Sequence, residues 1–216
     1  VIAEDGSVIY AKDAETVRPI ASVTKLMTAM VIIDAGVDLD EPVTVTKDDR
    51  DLIQLTGSRL EFGATLSRRE MIMVAVMASE NRAATALGRT FPGGMTAFVT
   101  AMNRKAAALG MRDSHFADPA GLSVDNRSTA ADLALMVTAA YDYPLIRKAS
   151  TTTRLEVRPY RKRGPLVYGN TNRLLKNDSW TIQLSKTGYL NEAGRCLAMQ
   201  AEIADQPLVI VLLNSF

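Results

Sequence analysis

Three short groups in this 216-residue chain have residue types and spacings that support chemistry. In Ser22-Val-Thr-Lys25 a hydroxyl and an amine stand three positions apart. On a helix such residues are about 4.5 Å apart along the axis and share a face, so the side chains can meet. Serine needs a base to act as a nucleophile, and lysine can serve once its pKa falls from about 10.4 toward neutrality. Taken alone, the same residues also describe an N-cap serine and a solvated lysine. Ser79-Glu-Asn81 follows an apolar helical stretch. It offers a hydroxyl for proton relay and an amide to hold a substrate carbonyl, or else an ordinary interhelical turn. Lys186-Thr187-Gly188 ends a strand-like run. There the lysine continues an apolar stripe, Thr187 can bind a carboxylate, and Gly188 lets a substrate backbone approach. The alternative is a hairpin turn with a snorkelling lysine.

Each group is weak alone. Together, once each and in this order, on a helix start, an interhelical loop and a strand end, they form a strong joint signal. The rest of the composition excludes other chemistries. With 25 basic and 24 acidic residues the net charge is +1, which argues against a nucleic-acid binder or a polybasic membrane surface. The one cysteine, Cys196, permits neither an intrachain disulfide nor a thiol zinc site. The one histidine, His115, removes HExxH and multi-histidine metal sites, and no metal or cofactor is expected. The ten methionines fall mostly on helical stripes and read as packing. No apolar stretch approaches the roughly 20 residues of a membrane span.

The elements that must position these groups follow from periodicity. Ser7 to Lys12 reads as a short strand after the Asp5-Gly6 turn, completing a sheet made by the last strands. Pro19 and Ser22 punctuate the start of a helix whose stripe is Leu26, Met27, Met30 and Val31. Ser67-Arg-Arg-Glu70 is a capping box. A further helix follows Gly93-Gly94 and ends at Gly110; another opens at Ser128-Thr129 and stops before Pro144. From Arg154 the pattern becomes strands. Trp180, Ile182 and Leu184 alternate with polar residues, and Leu208 to Leu213 is continuously apolar, as in a strand covered on both faces. The fold class is α+β: an antiparallel sheet of about five strands with helices on its faces. A single domain over 1–216 is expected, with a helical subdomain over roughly 37–150 inserted between the N-terminal strand and helix and the C-terminal strands.

The three groups lie within Pro19 to Ala29, Ala78 to Ala84 and Lys186-Thr-Gly-Tyr189, and with Phe91-Pro-Gly-Gly94 and Asp118-Pro-Ala-Gly-Leu122 they resemble the low-molecular-mass penicillin-binding proteins, the serine D,D-peptidases. The Ser-Glu-Asn form, with Pro-Gly-Gly and Glu192-Ala-Gly-Arg-Cys196, is most similar to the D-alanyl-D-alanine endopeptidases of the penicillin-binding protein 7 type. The resemblance covers nearly the whole chain and implies a β-lactamase/transpeptidase-like fold. It makes Ser22 the acylated nucleophile and Lys25 its base. Ser79 and Asn81 form one wall of the cleft; Lys186, Thr187, Gly188 and Tyr189 form the other, with Lys186 supplying positive charge. The backbone N–H groups of Ser22 and Tyr189 form an oxyanion hole. The partners implied are peptidoglycan stem peptides and, as covalent inhibitors, β-lactams. The location implied is the bacterial periplasm. Val1 and Phe216 read as the ends of a processed or trimmed chain, and the family pattern implies a further strand and helix beyond Phe216. His115 is expected to be structural.

Other activities on this scaffold are a D-alanyl-D-alanine carboxypeptidase, a small-molecule amidase or esterase, a class A β-lactamase, and a sensor that acylates without turnover. The β-lactamase needs a deacylating glutamate on a loop between the second and third groups. Glu156 is the only glutamate between Glu80 and Glu192, and its Thr153-Arg-Leu-Glu-Val157 setting is strand-like.

Overall fold

The computed structural model describes residues 1–215. Leu26 to Ile32 are apolar at nearly every position, and helix α1 (Thr24–Asp34) is accordingly buried on all sides rather than along one stripe. Helix α2 (Arg68–Ala78) starts at the expected capping box: Ser67 Oγ accepts from the Glu70 N–H, and the Glu70 carboxylate accepts from the Ser67 N–H. Helix α3 (Asn81–Arg89) follows after only two residues, where the sequence suggested a loop. Helices α4 (Gly94–Ala108) and α5 (Ala130–Tyr141) lie where expected. Pro144 does not merely end helical structure. It occupies the first turn of α6 (Pro144–Thr151), where the missing N–H costs nothing. Helix α1 packs against all five other helices. Among the described residues, no helix is long and apolar enough to cross a membrane.

Seven strands are short: β1 (Ile2–Ala3), β2 (Arg18–Pro19), β3 (Pro42–Thr44), β4 (Thr65–Ser67), β5 (Arg127–Ser128), β6 (Arg154–Val157) and β7 (Leu166–Gly169). Three are long: β8 (Thr181–Leu190), β9 (Gly194–Ile203) and β10 (Gln206–Ser215). Among the described residues the main sheet is antiparallel with four strands, in the order β1-β10-β9-β8, not about five. Its first strand is Ile2–Ala3 rather than Ser7 to Lys12. The Asp5-Gly6 turn folds the chain back, and only Val8 makes a bridge, to Ile2. Helices α5 and α6 lie against the sheet. The apolar run in β10 is less covered than its composition implies, since only Val209 in it is buried and Leu212 is 46% exposed.

Two features aim the fold at the three groups. Strand β2 pairs with β5, Arg18 opposite Ser128, which ties the entry to α1 to the end of the 118–126 loop. In that loop Gly121 has φ +75°, and a Cβ there would stand 2.0 Å from the Ala21 carbonyl oxygen. Gly121→Ala is therefore expected to destabilise the protein by about 2 kcal/mol or more, read as a lowered urea midpoint and melting temperature. A variant as stable as the parent would show that this approach is not tight.

Candidate active site

Ser22 sits in the 3-10 turn Ala21–Val23 that leads into α1. Ala21 holds a left-handed φ of +47°, a conformation unfavourable for alanine, and its neighbours are fixed by hydrogen bonds. The Ile20 N–H donates to Asn126 O at 3.0 Å and the Val23 N–H to Ile20 O at 3.2 Å. One turn on, Lys25 is fully buried. Its Nζ lies 2.7 Å from Ser22 Oγ, 2.8 Å from Asn81 Oδ1 and 2.6 Å from Ala120 O. Burial lowers the Lys25 pKa to about 7, against the opposing fields of Asp118, Glu80 and Asp51.

Those carboxylates stand near Lys25 without bonding it. Asp118 accepts the N–H groups of Ala120 (2.7 Å), Gly121 (2.7 Å), Leu122 (3.1 Å) and Ser123 (2.8 Å), together with Asn126 Nδ2. This nest shapes the loop that brings Ala120 O to Lys25. Glu80 caps α3 and accepts from Ser58 Oγ at 2.5 Å and Tyr168 Oη at 3.4 Å. Burial and the Glu80 charge push the Tyr168 hydroxyl up, so it stays a donor. Asp51 accepts the Thr56 hydroxyl at 2.7 Å, and Thr56 Oγ1 in turn accepts from Asn81 Nδ2 at 2.9 Å.

Ser79 occupies the C-cap of α2 with φ +56°, and this left-handed residue turns the chain so that Ser79 and Asn81 both face the cleft. Ser79 Oγ accepts from Lys186 Nζ, which also donates to Thr187 O at 2.8 Å. Lys186 is buried, and burial followed by the Lys25 charge drives its pKa well below the ordinary lysine value. The standing positive charge expected at Lys186 is thus disfavoured in the free protein, because two lysines share one desolvated cleft. A register shift in β8 between Ile182 and Leu184 places them opposite Ala201 and Gln200, adjacent residues of β9. Lys186 therefore continues the face of Leu184 but not that of Ile182.

Gly188 meets the requirement for close approach from within the protein itself. A Cβ there would stand 3.0 Å from both Ile20 O and Ser22 N. Thr187 Oγ1 bonds Thr171 Oγ1 at 2.6 Å, and Tyr189 projects outward, its hydroxyl 3.1 Å from Asn191 Oδ1. The structure therefore brings Ser22, Lys25, Ser79, Asn81, Lys186, Thr187 and Gly188 into one cleft between the helices and strand β8, the edge of the sheet. A groove of about 390 Å³ lined by Thr171, Arg173, Thr187, Gly188 and Arg195 opens beside it.

Sequence reasoning missed Asp51 and Thr56, and Asp118 and Ala120 entered only as part of the Asp118-Pro-Ala-Gly-Leu122 segment, with no role assigned to either. Loop geometry places all four, with no periodic signal beyond the turn-forming Asp and Gly. Glu156 lies on strand β6, exposed, and pairs with Arg158 at 3.1 Å. His115 lies outside the cleft, its Nδ1 3.0 Å from Asp125 O, and Cys196 is buried on β9. Among the described residues, no three His, Cys, Asp or Glu side chains cluster as a metal ion would need.

The family model for D-alanyl-D-alanine carboxypeptidases matches residues 1–216. The D-alanyl-D-alanine endopeptidase of Pseudomonas aeruginosa is 44% identical over 211 residues, covering 98% of this chain and 68% of that protein. The Escherichia coli endopeptidase is 44% identical, covering 97% of this chain and 67% of its own length. A carboxypeptidase of Bacillus subtilis is 31% identical over 98% of this chain and 55% of its own. Among solved structures, the Streptomyces K15 DD-transpeptidase superposes with a TM-score of 0.89 at 28% identity, covering 97% of this chain and 86% of that one. The chain belongs to the D-alanyl-D-alanine carboxypeptidase family, and the fold is that of the DD-peptidases.

The buried lysines make stability depend on pH. Between about 7 and 10.5 the unfolded chain keeps the Lys25 proton while the folded one has released it. The free energy of unfolding therefore rises with pH through that window, and the full penalty applies below 7. The urea midpoint is expected to increase from pH 7 to pH 9, and Lys25→Met to flatten that rise. A midpoint independent of pH, or a slope unchanged in the variant, would contradict a depressed Lys25.

Proposed function

We propose that this member of the family is a serine D,D-peptidase that cleaves D-alanyl cross-links between peptidoglycan stem peptides, working in the bacterial periplasm through an acyl-enzyme on Ser22. The observation that carries the reading is Lys25: a buried amine with a pKa of about 7, 2.7 Å from the Ser22 hydroxyl.

Ser22 Oγ attacks the carbonyl carbon of the D-Ala residue while its proton passes to Lys25 Nζ. The resulting oxyanion is held by the backbone N–H groups of Ser22 and Tyr189, the former 3.0 Å from where a Cβ on Gly188 would lie. The carbon–nitrogen bond then breaks. Ser79 Oγ delivers a proton to the departing amine and regains the one Lys25 took from Ser22, passed across the cleft by way of Lys186, so that Lys25 is again neutral. Asn81 holds the substrate amide, and Thr187 with a recharged Lys186 holds an anionic group of the peptide. Water attacks the ester as neutral Lys25 takes its proton; the ester C–O bond breaks, Lys25 returns that proton to Ser22 Oγ, and the D-Ala acid leaves as its carboxylate.

Cross-link cleavage and carboxypeptidation differ only in the leaving amine, which is a neighbouring stem peptide or free D-Ala. The two relatives at 44% identity are endopeptidases, which favours the former. Digestion of purified cross-linked peptidoglycan is expected to convert dimeric muropeptides to monomers. Release of D-Ala with dimers intact would reject the endopeptidase reading in favour of the carboxypeptidase.

Benzylpenicillin is expected to add its full mass to the chain and none to Ser22→Ala, by intact-mass spectrometry. An adduct that persists on Ser22→Ala would dismiss Ser22 as the nucleophile. The acylation rate is expected to fall below pH 7 as Lys25 takes up its proton, by about a hundredfold at pH 5. Lys25→Met is expected to lose acylation at every pH while remaining folded. A fast Lys25→Met variant would mean that another group is the base.

A further inference from the structure

We propose that Asp51 and Thr56 are positioning residues for acylation: through Asn81 they fix the direction in which Lys25 presents its lone pair to Ser22. The proposal rests on the reading of Lys25 as the base and deepens it.

The argument is a count of hydrogens. The Thr56 hydroxyl has one hydrogen, and the Asp51 carboxylate 2.7 Å away can only accept, so Thr56 donates that hydrogen to it. Thr56 Oγ1 then has only lone pairs for its other neighbour, and the Asn81 amide 2.9 Å away must turn its Nδ2 toward it. That orientation aims Oδ1 at Lys25 Nζ, at 2.8 Å. The second partner of Nζ, Ala120 O at 2.6 Å, is a carbonyl and also only accepts. A neutral amine has two N–H bonds and one lone pair. With both N–H bonds committed to Asn81 and Ala120, the lone pair faces Ser22 Oγ at 2.7 Å. If Asn81 were flipped, its N–H would draw that lone pair and the serine would meet a donor instead.

Asp51 is itself held for this task. It is buried at the foot of a tight loop, where Oδ1 accepts from Ile53 N at 2.8 Å and Gln54 N at 2.9 Å. Its Oδ2 also accepts the Thr56 N–H at 2.9 Å. Leu55, at φ +54°, bends the loop back so that Thr56 returns to the same carboxylate. Burial raises the Asp51 carboxyl, but the bonds from Thr56, Gln54 and Ile53 outweigh it and keep the group ionised. Thr56 is exposed, so water can replace its hydroxyl. Water donates as readily as it accepts, and so carries no direction.

The test is Thr56→Val, with Thr56→Ser as the conservative control. Neither alters Asp51, Asp118, Glu80 or Lys186, the charged groups around Lys25. Stopped-flow acylation by benzylpenicillin is expected to show a limiting rate about tenfold or more lower in Thr56→Val, with the concentration for half-saturation unchanged. Thr56→Ser should return to within about twofold of the parent. The Lys25 titration, followed by NMR of the unacylated protein, is expected to move to lower pH in Thr56→Val, because the ammonium loses a fixed acceptor. Parental acylation in Thr56→Val would overturn the proposal, and so would equal losses in Val and Ser or an unchanged Lys25 titration. Should Thr56→Val fail to fold, Thr56→Ala is read by the same criteria. A parent that does not acylate at Ser22 would reject the proposed function instead. The Lys25 titration in Thr56→Val would then still decide the orientation, a downward shift upholding it and no shift overturning it.

Discussion

A lysine amine removed from water at the centre of the molecule is the constraint that organises this protein. Leaving a charged ammonium unsolvated is costly, and in a protein interior the group responds by lowering its pKa and finding oxygen partners. Lys25 does both. Each partner comes from a different part of the chain: Ser22 from the turn before α1, Asn81 from the start of α3, and Ala120 from the 118–126 loop. Those three segments must be fixed relative to one another for the amine to be satisfied. The surrounding structure supplies that rigidity, with a helix buried on all sides, a loop wound around Asp118, and glycines where backbones nearly touch.

The second lysine joins the sheet to this arrangement. Lys186 leaves the edge strand β8 and reaches Ser79 across the cleft, so the two halves of the site meet through a serine that one lysine holds. An edge strand has unpaired backbone groups along its outer side, which suits it to an extended peptide. Gly188 brings that strand against the backbone of Ser22.

Much of this was legible in the sequence. The Ser67 capping box and the helix that carries Lys25 follow from local signals, and so does the strand from Thr181, although it runs on through Lys186-Thr187-Gly188 to Leu190 and a register shift breaks its alternation. Where reading failed, a nonlocal cause is identifiable. Helix α3 was hidden because Ser-Glu-Asn serves as both a turn and an N-cap, and Ser79 in a left-handed conformation separates the roles. Pro144 looked like a stop because the same residue ends one helix or begins the next. Ser7 to Lys12 has strand composition but only a single bridge to β1. Asp51 and Thr56 carry no pattern at all, and the Asp118-Pro-Ala-Gly-Leu122 segment gives no sign of what Ala120 O touches, because loops place all three.

The near-neutral charge of the chain conceals how unevenly charge is used at the site. Three carboxylates lie close enough to Lys25 for their fields to raise its pKa, yet each is engaged by other donors: Asp118 by its loop, Glu80 by Ser58 and Tyr168, and Asp51 by Thr56. A direct ion pair would hold Lys25 as an ammonium. Without the carboxylates burial would act unopposed and lower the amine further. At Lys186 burial and then the charge of Lys25 both act to lower the pKa. The fields of the three acids thus oppose the effect of burial and leave Lys25 poised near neutrality.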